Sequence, residues 1–71
     1  MTYQYLTASQ AGAEGYFPLT RVYRPSEQAM LVKVLDDMKR GDIPVVLVRA
    51  TGKDRRGEMY EGLEVWRYRG Y

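Results

Sequence analysis

The stretch "DIPVVLVRATGKDRRGEMYEGLEVWRYRGY" (Asp42–Tyr71) decides the fold. It opens with four consecutive apolar residues, Val45–Val48. Such a run reads as a strand covered on both faces, or central in a sheet. "GKDRRG" (Gly52–Gly57) is a turn framed by glycines. "EMYEGLEVWRYRGY" (Glu58–Tyr71) then returns as the last strand. If partner numbers sum to 110, Val45 faces Val65, Leu47 faces Leu63 and Arg49 faces Glu61. Apolar side chains meet apolar ones and opposite charges meet, as cross-strand pairs prefer. Gly62 marks a bulge in this arrangement.

Working outward toward the N-terminus, "RPSEQAMLVKVLDDMKRGD" (Arg24–Asp42) is an amphipathic helix. Pro25 and Ser26 mark its start, with Ser26 as N-cap and Glu27 in the first turn. Lys39 and Arg40 suit the negative end of the helix dipole, and Gly41 follows as the C′ residue. At 100° per residue Met30, Leu31, Val34, Leu35 and Met38 share one arc, opposite Lys33, Asp36, Asp37 and Arg40. Asp36–Arg40 and Lys33–Asp37 are i,i+4 ion pairs, each stabilising by about 0.3 kcal/mol. Such a helix roofs one face of something flat.

Two further strands precede it. "TYQYLT" (Thr2–Thr7) alternates and is rich in β-formers. "ASQAGAEG" (Ala8–Gly15) reads as a loop, or at best one helical turn. "YFPLTRVY" (Tyr16–Tyr23) is β-like; Pro18 cannot donate to a ladder, which puts this strand at an edge or starts its regular part after the proline. The sum is β-β-α-β-β over residues 1–71: an α+β two-layer domain, an antiparallel sheet of three or four strands with one helix on one face.

Composition narrows the chemistry. Seventy-one residues hold one domain and a marginal core. With neither cysteine nor histidine, disulfides, Cys/His zinc sites and Ser-His or Cys-His nucleophiles are excluded. A small scaffold without such staples gains from self-association, so a homo-oligomer is expected. The +2 formal charge is too small to argue for nucleic acid by itself. No apolar run reaches the ~20 residues of a membrane span. "MTYQYLTASQ" has no basic n-region or apolar h-region, so a cytoplasmic protein is expected.

"GKDRRGE" lacks the spacing and the Ser/Thr of a phosphate-binding loop. Asp36 and Asp37 point in different directions from a solvated helix face, and Ser26 is a cap rather than a nucleophile. No catalytic, cofactor-binding or metal-binding residue is assigned.

What remains is Tyr and Arg, the types enriched at binding hot spots. Seven of nine aromatics are tyrosine. Arg21, Tyr23 and Arg24 form one cluster; Arg67, Arg69 and Tyr71 form another, on the strand face opposite Trp66 and Tyr68. Lys53, Arg55 and Arg56 make a basic turn, either a solvated tip or a reach toward an acidic partner. These nine residues are the candidate partner-binding set. The leading expectation is a non-catalytic protein that occupies a protein partner's surface. In size and in lacking catalytic residues it is similar in kind to the small inhibitors that phages encode, including anti-CRISPR proteins.

The second expectation is nucleic-acid binding. "YLTASQAGAEG", "LTRVYR" and "MKRGDIPVVLVR" loosely resemble excisionase-like winged helix-turn-helix proteins. That resemblance implies a short helix, then a recognition helix placing Arg21 and Arg24 near bases, and a wing placing Lys53, Arg55 and Arg56 near phosphates. Gly12, Gly15 and Pro18 depart from it by interrupting both helices. A sheet that stacks RNA bases on tyrosines needs Tyr and Arg on one open face, and the alternation at Trp66–Arg69 opposes this locally.

Overall fold

A computed structural model describes residues 3–71. Val46, Leu47 and Val48 are buried because helices sit on opposite faces of their strand. The elements are β1 (Tyr5–Leu6), α1 (Ala8–Ala13), β2 (Tyr16–Pro18), a 3-10 turn (Pro25–Glu27), α2 (Gln28–Arg40), β3 (Val45–Lys53) and β4 (Met59–Tyr68). The strands form one sheet in the order β1-β3-β4-β2. This is the expected small α+β domain with its β-β-α-β-β layout. The sheet is mixed rather than wholly antiparallel, since β1 runs parallel to β3.

Odd-numbered side chains of β3 and β4 share one face with α2. Leu47 and Val65 pack there with Leu31 and Leu35, bordered by Tyr3, Tyr23, Val34, Val45 and Leu63. Even-numbered Val46 and Val48 pack with Ala11 of α1, and with Leu6, Tyr16 and Trp66, on the other face. The second helix, six residues over Ala8–Ala13, is a correction to the loop, or at best one helical turn, expected over Ala8–Gly15. Its start is fixed by a capping box: Thr7 Oγ1 accepts from the Gln10 N–H and Gln10 Oε1 accepts from the Thr7 N–H, both at 3.1 Å. Gly15, at φ +95°, ends it in a left-handed conformation.

α2 forms as its periodicity requires, with Leu31 and Leu35 buried and Met30 left 54% exposed. Both of its ends differ from expectation. Ser26 makes no capping bond; the Glu27 carboxylate instead accepts from the Arg24 N–H at 2.9 Å. At the C-terminus the left-handed residue is Asp42 (φ +54°), one beyond Gly41. Ile43 N–H donates to the Met38 carbonyl and Asp42 N–H to that of Lys39, the paired bonds of a Schellman end.

The β3–β4 register sums to 112, not 110: Leu47 lies opposite Val65, Arg49 opposite Leu63 and Thr51 opposite Glu61. The turn sets this. Asp54 N–H donates to the Glu58 carbonyl and Gly57, at φ +83°, donates to the Asp54 carbonyl, a three-residue loop with its left-handed glycine last. An even shift keeps every side chain on its expected face. The ladder passes Gly62 with no bulge. Gly62 is small because the Tyr23–Leu63 bridge brings the Tyr23 carbonyl against it.

The N-terminal strands are shorter than expected. Within the described part of Thr2–Thr7 the strand is Tyr5–Leu6; Met1 and Thr2 lie outside the described residues. Of Tyr16–Tyr23, the regular part precedes and ends at Pro18, on an edge strand. Leu19 still donates to the Val65 carbonyl and Thr20 Oγ1 accepts from the Val65 N–H, before the single bridge at Tyr23.

Candidate functional site

The nine candidate residues fall into separate places. Lys53, Arg55 and Arg56 sit at the hairpin tip, and Arg67, Arg69 and Tyr71 at the far end of β4. Eight residues of strand, roughly 26 Å, separate Met59 from Arg67. The two clusters therefore do not form one patch.

Arg21, Tyr23 and Arg24 lie on the path from β2 to the 3-10 turn, and their charges are largely engaged. Arg21 Nη2 donates to Glu27 Oε2 at 2.6 Å, and its guanidinium stands 4.5 Å from the Tyr23 ring centroid. That bond, with the Arg24 N–H, lowers the Glu27 carboxyl from 4.5 to about 2. The same partner raises the Arg21 pKa. Arg24 stacks 4.1 Å above the Tyr60 ring and reaches Asp54 at 3.5 Å. The Tyr60 hydroxyl donates to the Val22 carbonyl at 3.1 Å. Arg24 thus belongs with the tip, where it ties the β2–α2 connection to the hairpin.

At the far end β4 stops at Tyr68, so Arg69 and Tyr71 are not on a strand face. The Tyr71 ring lies edge-on to Tyr68 (6.4 Å), which meets Tyr16 in the same way (5.4 Å). Arg67 donates to the Tyr71 main-chain oxygen and leans toward the Phe17 ring at 5.8 Å. Trp66 is half-buried under α1, with its indole N–H on Glu64.

The remaining surface belongs to the distal half of the β3–β4 ribbon. Past Val48 and Leu63 the α2 face is open: Arg49, Thr51, Lys53, Met59 and Glu61 are all exposed. Tyr5, 57% exposed, and Pro25 wall a shallow cleft of about 550 Å³ over Arg49, Thr51, Glu61 and Leu63. Helix length explains the opening. Thirteen α2 residues span ~20 Å while ten β4 residues span ~33 Å, so one helix cannot cover the ribbon. Arg49, Thr51, Tyr5, Met59 and Glu61 were not in the candidate set. Their signal is the loss of apolar residues after Val48, where "RATGK" is polar or small on both faces.

No family model, no curated protein and no solved structure matches this chain. Among the described residues no three carboxylates gather closely enough to hold a metal ion. No helix there is long and apolar enough to cross a membrane. The excisionase-like pattern is not followed: Tyr16–Pro18 is strand and Tyr23 is bridged to Leu63, where a recognition helix was implied.

Proposed function

We propose that this chain is a non-catalytic cytoplasmic binding protein that occupies a protein partner's surface with the open end of its β3–β4 ribbon, as an inhibitor of the kind phages encode. The observation that carries this reading is the uncovered cleft over Arg49, Thr51 and Glu61, beside the basic tip and the exposed Tyr5. A polar rim around a half-apolar floor suits a protein interface. Charge favours protein over nucleic acid. Between residues 49 and 61 four cations (Arg49, Lys53, Arg55, Arg56) stand against three carboxylates (Asp54, Glu58, Glu61). Phosphate binding draws on many uncompensated cations. Tyr60, the tyrosine on the opposite face of this ribbon, has its ring already covered by Arg24.

Affinity capture from the cell that makes the protein tests this. The partner is retained by the Arg67→Ala/Arg69→Ala/Tyr71→Ala variant and lost by Arg49→Glu/Lys53→Glu. The reverse pattern would move the interface to the C-terminal cluster. Self-association stays within the proposal because only seven hydrophobic residues are buried among those described. Light scattering that gives a monomer at every concentration removes that part.

A further inference from the structure

Resting on the reading above, we infer that the open edge of β3, from Arg49 to Lys53, takes an extended acidic segment of a partner protein as a fifth strand. β1 covers only the first half of that edge, ending at Leu6 opposite Val48. The Leu47 N–H points outward, donating to the Gln4 carbonyl at 3.0 Å. Strand alternation turns the main-chain groups of Arg49, Thr51 and Lys53 to the same side. Parallel pairing at Leu6 and Val48 takes up the Arg49 N–H. The Arg49 carbonyl and both main-chain groups of Thr51 and Lys53 have no main-chain partner among the described residues. Such a row is a template for strand addition.

The side chains specify what is added. Arg49 and Lys53 stand exposed on the α2 face, two strand positions either side of Thr51, and among the described residues neither is in an ion pair. On the opposite face lie Ala50 and Gly52, the latter with the Tyr60 ring across it. A complementary strand therefore carries a carboxylate near each end, within reach of the Arg49 and Lys53 side chains, and apolar residues alongside Ala50 and Gly52. Its pattern is acid, apolar, any, apolar, acid. A second copy of this chain does not fit. Pairing two β3 edges about Thr51 sets Arg49 of each opposite Lys53 of the other, and like charges directly opposed are destabilising.

The test uses the intact protein and an acetylated, amidated peptide of sequence Gly-Glu-Val-Thr-Val-Glu-Gly, whose symmetric core suits either strand direction. Amide hydrogen exchange followed by NMR reads the edge directly. With ~1 mM peptide, exchange at Thr51 and Lys53 slows by about tenfold or more, while Ala50 and Gly52, already bonded to β4, do not change. The peptide with both glutamates replaced by lysine has no effect. Thr51→Pro removes an outward donor without touching the β4 ladder and abolishes the effect; should that variant not fold, N-methylation of the peptide at alternate residues replaces it.

Unchanged exchange at Thr51 and Lys53, or equal protection by the lysine peptide, overturns strand addition. If Arg49→Glu/Lys53→Glu still loses the captured partner, the wider reading survives that failure. If capture is also indifferent to those charges, both fall together.

Discussion

Gly62 lies directly beneath the main-chain carbonyl of Tyr23, where a β-carbon would overlap the carbonyl group and stand 2.9 Å from Val22 Cγ1. The contact is backbone on backbone, locked by reciprocal hydrogen bonds between Tyr23 and Leu63 at 2.8 and 3.0 Å. A methyl group there must break the bridge or push β4 out of register. Gly62→Ala is expected to cost about 2 kcal/mol or more in urea unfolding. Gly12→Ala, on the exposed side of α1 with nothing within 4 Å, is expected to stabilise by about 0.5–1 kcal/mol. Equal effects of the two would contradict the bridge.

Glu27 joins the same connection to α2 through Arg21 and the Arg24 N–H. Its folded pKa of about 2 lies below the ordinary 4.5. The unfolded chain therefore takes up the proton first as pH falls. The stability from this carboxylate is complete above pH 4.5 and is lost as pH falls toward about 2. Glu27→Gln should lower the melting temperature at pH 7 and flatten that part of the acid profile. A variant with an unchanged slope between those pH values would show that the pair contributes nothing.

Asp54 organises the tip. Its Oδ1 accepts from the Arg56 and Glu58 N–H groups, each at 2.9 Å, and its Oδ2 faces Arg24. Asp54→Ala is expected to cost about 1–2 kcal/mol and to release Arg24 from Tyr60, visible as a shift of the Tyr60 ring resonances. Unmoved resonances would mean that stacking alone holds Arg24.

The near balance of charge around the tip sets a further expectation. No binding of short duplex DNA or of single-stranded RNA is expected at about 150 mM salt. A sub-micromolar complex there, weakening steeply with salt, would put nucleic acid ahead of protein.

The order of elements and the faces of β3 and β4 were legible because periodicity carries them. Val45–Val48 announced two-sided cover, and the α2 arc announced one roof. The second roof was present in "TASQ", whose Thr7-x-x-Gln10 spacing is a capping box, but two nearby glycines argued for a loop. The register was missed by two because Leu47 meets an apolar partner in either alignment, Leu63 or Val65, and the Arg49–Glu61 charge pair favoured the wrong one, whereas the Asp54–Gly57 turn admits only one. Composition picked out Arg and Tyr as site candidates but is blind to pairing. Arg21 and Arg24 spend their charge on Glu27 and Asp54, while Arg49, not selected, is left open beside the cleft.

The most direct test is amide exchange on the protein alone. Val46, Val48, Ala50 and Gly52 should be protected through β4, and Leu47 and Arg49 through β1, while Thr51 and Lys53 exchange near the rate of an unstructured chain. Strong protection of Thr51 and Lys53 in the free protein would mean that the edge is already covered, and the open ribbon end would no longer stand as the binding surface.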